Sequence, residues 1–139
     1  MTKIDFYVLP ADGRLTECAA VGRIAEKALG LGHRIYIQAQ NADHAREVDA
    51  GLWTFKAESF VPHQLLGDDD DTSVVIGWED PPASHDDVFI NLTAQVPEHF
   101  ARFQRLAEIV RPDESSLASS RTSWRFYKDR GYALAKHDL

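Results

Sequence analysis

The chain opens with short apolar runs alternating with amphipathic stretches, and this pattern restricts its possible folds most. Residues 4–9 (Ile4, Phe6, Tyr7, Val8, Leu9) read as a buried strand. A turn follows over Pro10 to Arg14. Cys18, Val21, Ala25 and Ala28 then recur at helical spacing, with Ile24 and Leu29 widening the stripe. This predicts an amphipathic helix over 16–29, capped by Thr16 and ended by Gly30 or Gly32. Arg34 to Ala39 reads as a second strand, and Asn41 caps a helix over 42–52 with Ala45, Val48 and Leu52 inward. Strand–helix–strand–helix order implies parallel pairing through right-handed crossovers. The expected fold class is therefore α/β: a three-layer α/β/α Rossmann-like domain with a mostly parallel sheet. At 139 residues and 15.6 kDa the chain fits one such domain, 1–139.

Beyond residue 52 the pattern loosens. The stretch 53–73 reads as irregular and holds Trp53, Phe55, Phe60, Val61, Pro62 and His63 before the acid run Asp68 to Asp71. Val74 to Trp78 reads as a short strand, Pro81-Pro82 breaks the chain, and Val88 to Leu92 reads as another strand. Pro97 suits a first helical turn, and Phe100, Phe103, Ala107 and Val110, with Leu106 beside them, follow a helical stripe. Asp113 then caps a last helix over 114–130, Gly131 stops it, and Tyr132 to Leu134 forms an edge strand. No internal repeat or interdomain linker interrupts the sequence.

Composition removes several function classes. Hydrophobic residues make up 44% and charged residues 27%, which is globular rather than disordered. The lone cysteine, Cys18, excludes an internal disulfide, a Cys-based zinc site and a C-x-x-C redox pair; it reads as a core thiol on the first helix. Apolar runs fall far short of the ~20 residues a membrane helix needs. The N-terminus, with Lys3 and Asp5, lacks a secretory core, so the expected setting is reducing and cytoplasmic. The phosphate cradle of a nucleotide-binding sheet needs glycines between the first strand and helix, but that junction holds Gly13 alone. That junction argues against the alternative reading, a small nucleotide-binding enzyme on a Rossmann-like sheet, and no cofactor is expected. His85-Asp86-Asp87 is the best metal candidate, yet consecutive loop residues do not readily face one ion. Asp68 to Asp71 lacks the Gly and distal Glu of a calcium loop and reads as solvated acid. No G-x-S-x-G elbow is present, and nothing selects an enzyme.

The charge is unevenly placed. The formal net charge is −7, which disfavours a general nucleic-acid binder. Residues 1–110 carry 9 Lys+Arg and 18 Asp+Glu, whereas residues 111–139 carry 6 and 4. On the last helix, Leu117, Arg121, Trp124 and Lys128 fall within about 60° of one another at ~100° per residue, with Arg125 at the margin. Two readings stand: snorkelling stems around a packed Trp124, or a site for an apolar side chain next to a carboxylate, with Arg supplying paired donors. The irregular segment is equally open. Trp53, Phe55, Phe60 and Val61 either form the lid of a core or present a patch to a partner.

At these residues the chain resembles the chi subunit family of bacterial DNA polymerase III holoenzyme over nearly its whole length. The resemblance rests on Phe6-Tyr7-Val8-Leu9, Leu52-Trp53, Ala57-Glu58-Ser59-Phe60-Val61-Pro62-His63, Ile90-Asn91-Leu92, and Arg125, Tyr127, Lys128, Gly131 and Tyr132. It implies a non-catalytic accessory subunit of a DNA-directed DNA polymerase. Such a subunit joins the clamp loader through the psi subunit and grips the acidic C-terminal tail of single-stranded DNA-binding protein (SSB), meeting single-stranded DNA only through SSB. The tail-binding positions it implies are Arg121, Trp124 and Arg125, with Lys128 suited to the aspartates of the tail. The psi-facing positions are Trp53, Phe60, Val61 and Pro62, a patch that serves psi, the clamp loader itself or a helicase. Ala118, Ser119 and Ser120 stand where the family carries a lysine near the start of the helix, and Arg111 stands where it carries an apolar residue.

Overall fold

The computed structural model describes residues 1–53, 64–65 and 73–139. Seven strands and three α-helices follow in the order β1 (Lys3–Val8), α1 (Glu17–Gly30), β2 (Ile35–Gln38), α2 (Ala42–Trp53), β3 (Gln64–Leu65), β4 (Val74–Gly77), β5 (Val88–Asn91), β6 (Arg105–Val110), α3 (Glu114–Asp129) and β7 (Ala133–Asp138). A 3-10 turn, Phe100–Arg102, precedes β6. The strands form one sheet in the order β3-β4-β2-β5-β6-β1-β7, and every pair is parallel.

Two apolar cores flank the sheet, which makes the three layers. Ile35, Ile37, Val74, Ile76, Val88 and Ile90 face α1 and α2, whose Val21, Ala25, Val48 and Leu52 complete the first core. Ile4, Phe6, Tyr36, Val75, Phe89 and Leu106 point the other way and meet Tyr127 of α3. Central strands buried on both faces explain the unbroken Val/Ile/Phe runs in the sequence. The β1–α1–β2 crossover travels toward β3, and the β6–α3–β7 crossover travels the opposite way. Right-handed crossovers running in opposite directions place their helices on opposite faces, which is where α1 and α3 lie.

The caps follow the sequence expectation. The Thr16 hydroxyl accepts from the Ala19 amide at 3.2 Å, Asn41 Oδ1 from the His44 amide at 2.8 Å, and Asp113 Oδ2 from the Ser116 amide at 3.0 Å. Gly131 leaves α3 at φ 82°, a left-handed conformation that glycine adopts without a Cβ clash.

Three expectations need correction. Residues 97–110 are not a helix: after the 3-10 turn, 105–110 is a central strand paired to both β1 and β5. Leu106 and Val110 face one core and Ala107 and Ile109 the other, so a strand apolar on both sides also satisfies a helical template. The final edge strand runs Ala133–Asp138 rather than Tyr132 to Leu134. Cys18 is half-buried at the contact of α1 with α2, rather than deep in the core. Burial and the neighbouring Glu17 and Glu47 carboxylates push its thiol up, away from thiolate chemistry.

Candidate functional site

Helix α3 lies on the second face and is held there by aromatic edges and a buried carboxyl. Trp124 meets the Phe6 ring edge-on at 5.1 Å between centroids, and Tyr127 meets Phe100 in the same way at 5.1 Å. The Tyr127 hydroxyl donates to Glu108 Oε2 at 2.6 Å, and Asn91 Nδ2 donates to Glu108 Oε1 at 2.7 Å. Burial pushes the Glu108 carboxyl up to about 7, against the pull of those two donors. Burial and the Glu108 carboxylate also push the Tyr127 hydroxyl well above its ordinary value, so Tyr127 stays a donor.

With α3 fixed in this way, its outer face borders a cleft of about 680 Å³. The four residues singled out on the last helix, Arg121, Trp124, Arg125 and Lys128, all line it. Phe6 and Val8 of β1, Val110 of β6 and Leu117 of α3 supply apolar walls. Arg121, Arg125 and Lys128 are exposed, and Trp124 is half-buried. Among the described residues none of these three cations is ion-paired, which sets them apart from Arg105 on Asp5 (3.2 Å) and Arg46 on Asp43 (2.9 Å).

The sequence pattern on α3 missed one member. Lys136 of β7 lines the same cleft, with its ammonium 3.5 Å from Asp138. The strand runs beside β1, with Lys136 opposite Phe6. Reading β7 as longer than three residues is what finds it. The lysine absent near the helix start leaves Ser119 and Ser120 beside a small cavity of about 30 Å³ with Arg111, which sits 3.8 Å from Asp113.

The second predicted surface is mostly out of view. Trp53 is the last residue of α2; Phe60, Val61 and Pro62, like the acid run Asp68 to Asp71, lie outside the described residues.

The remaining candidates have other engagements. His85 is fully buried with Nδ1 2.9 Å from Ser84 Oγ, and Asp87 accepts from the Arg34 amide at 2.7 Å. At the β1–α1 turn, Asp12 accepts from the Arg14 amide at 3.1 Å, so a carboxylate stands where a phosphate cradle would offer amides. Asp80, Glu98 and His99 bring three possible metal-ligand atoms within 4.8 Å of one another, all on exposed residues. Chemically, the α3 cleft suits a peptide that joins acidic groups to an apolar end: guanidinium donors for carboxylates and an indole wall for a ring.

Residues 1–135 match the family model described as DNA polymerase III chi subunit, HolC. The chain is 36% identical over 139 residues to DNA polymerase III subunit chi of Pseudomonas aeruginosa, covering 100% of this chain and 98% of that protein. It is 28% identical over 141 residues to the Escherichia coli K12 protein of the same name, covering 96% of each. Among solved structures, T4 UvsW aligns with a TM-score of 0.67 at 8% identity, covering 99% of this chain and 41% of that one; this likeness concerns fold alone.

Proposed function

Taking as premise that the chain belongs to the DNA polymerase III chi subunit family, a non-catalytic accessory subunit in DNA replication, we propose that its α3 cleft receives the acidic C-terminal tail of SSB. The observation that carries this reading is the set of cations around a half-buried indole on an otherwise acidic chain, with Arg121, Arg125 and Lys128 free of ion pairs among the described residues. Arg121 and Arg125 offer forked donors to the terminal carboxylate and the neighbouring acids, Lys128 and Lys136 extend the positive rim, and Trp124 with Leu117 and Val8 takes the terminal ring. The linkage to the clamp loader, through psi, the clamp loader itself or a helicase, belongs in this proposal to Trp53, Phe60, Val61 and Pro62. For that surface the family resemblance is the whole support.

Calorimetric titration with a synthetic SSB tail tests the cleft. Arg121→Ala and Arg125→Ala each remove an exposed side chain, so both variants should fold. Each should weaken the tail by ~1.5–3 kcal/mol, the range for hydrogen bonds to charged groups. A tail lacking its terminal phenylalanine should bind far more weakly to the unaltered chain. Unchanged affinity in both arginine variants would reject the assignment. For the second surface, Phe60→Ala should abolish co-purification with psi while leaving tail affinity intact.

A further inference from the structure

Parallel sheets are covered by helices on both faces. On the first face, α1 packs on β2 and α2 on β3 and β4. Among the described residues no helix continues this layer over β1 and β7. Tyr7 and His137 stack on each other there at 4.7 Å, and Asp5 sits opposite Ala135. That end of the face meets α1 across a groove of about 270 Å³.

The α1 wall of the groove is a single stripe: Ala20, Arg23, Ile24, Lys27, Ala28 and Leu31, an i, i+3, i+4, i+7, i+8, i+11 series. Leu31 is 65% exposed; among the described residues only Met1 is a comparably bare large apolar side chain. Arg23 and Lys27 are exposed, and neither is ion-paired among the described residues. The acid of the floor is already occupied: Asp5 takes Arg105 at 3.2 Å and His137 at 3.0 Å. The groove thus joins an apolar track to positive charge that no described residue pairs, on a chain of net charge −7.

We propose that this groove docks an acidic amphipathic helix of a partner protein, with its apolar face on Ile24, Ala28, Leu31 and Tyr7 and its carboxylates toward Arg23 and Lys27. The layer that the described residues leave off this end of the sheet is a helical one. The stripe from Ala20 to Leu31 is about 17 Å long at 1.5 Å per residue, the length of three helical turns. Charge complementarity selects an acidic helix. A second copy docking isologously would bring the patch that carries Arg23 and Lys27 against an identical, equally positive patch. The groove lies on the face of the sheet opposite α3, so the proposal does not rest on the tail reading.

The probe is a synthetic helical peptide of roughly 15 residues, long enough for the stripe, with Leu and Ala on one face and Glu on the other. The control has Lys in place of Glu. Titrated into the isotopically labelled chain, the Glu peptide should shift amides of α1 and β7 and leave α3 unmoved, while the Lys peptide should not bind. The double variant Arg23→Glu, Lys27→Glu should weaken the Glu peptide by about tenfold or more, ~1.4 kcal/mol, and admit the Lys peptide. Leu31→Asp should weaken it as well. The proposal is overturned if neither peptide binds, if both bind alike, or if the shifts map onto α3. It is also overturned if sedimentation shows wild-type dimers that Leu31→Asp dissolves, which would assign the groove to a second copy.

Discussion

Burial pushes the Glu108 carboxyl up to about 7, and the sign of the consequence follows from linkage. The unfolded chain releases this proton near 4.5 and the folded chain near 7, so between those values the folded state holds more protons. Stability from this group is therefore complete below about pH 4.5, declines as pH rises through the window, and is gone above about pH 7, a loss of roughly 3 kcal/mol. Glu108→Gln removes the ionisable group at nearly constant shape, with its carbonyl still able to accept from Asn91 Nδ2. Urea unfolding across this range should show a flatter profile for Glu108→Gln than for the parent; parallel profiles would remove Glu108 as the cause. At this scale the sequence was legible where side chains project from one helix: Arg121, Trp124, Arg125 and Lys128 share a cleft as their spacing requires. It was silent on where Lys136 comes to lie, which depends on β7 running beside β1, and on Glu108, an acid inside a strand whose burial no local pattern announces.

Helices α1 and α2 approach closely because Gly51 lacks a side chain. A Cβ built at Gly51 would stand 2.6 Å from Cys18 Sγ and 3.0 Å from its Cβ. Glycine to alanine inside a helix ordinarily adds about 1 kcal/mol of stability. Here Gly51→Ala is expected to cost ~1–3 kcal/mol through overpacking. Cys18→Ala should recover part of that loss by removing the sulfur, and a double-mutant cycle by thermal or chemical unfolding measures the coupling. At the other helix, Asp113→Ala should lower stability measurably in the same unfolding experiment, because the Ser116 amide loses its cap. Both caps and stripes are local, so the existence and type of α1, α2 and α3 could be read directly. The error at 97–110 has the opposite origin. A strand flanked by neighbours on both sides and by a core on each face has no polar face, and only those neighbours, β1 and β5, identify it.

For the whole molecule, charge distribution matters more than its total. With a net charge of −7, long-range repulsion would oppose the proposed acidic tail, and the cations lining the α3 cleft would have to attract it at short range. The cations of the cleft are exposed, so salt should weaken tail binding steadily as the screening length falls from ~10 Å at 0.1 M to ~3 Å at 1 M. A titration in which affinity is indifferent to salt would place the binding energy in apolar contacts instead. Among the described residues no helix is long and apolar enough to cross a membrane. By itself the sequence determined the α/β class, the helix caps and the composition of the α3 face, because each depends on residues within a few turns of one another. Tertiary structure alone decided the order β3-β4-β2-β5-β6-β1-β7 and the faces on which α1 and α3 lie. It also decided the convergence of Phe6, Val110 and Lys136 on the cleft and the open groove beside α1. These depend on which distant strands pair, and hydrophobic periodicity, the same for any neighbour, carries no record of that choice.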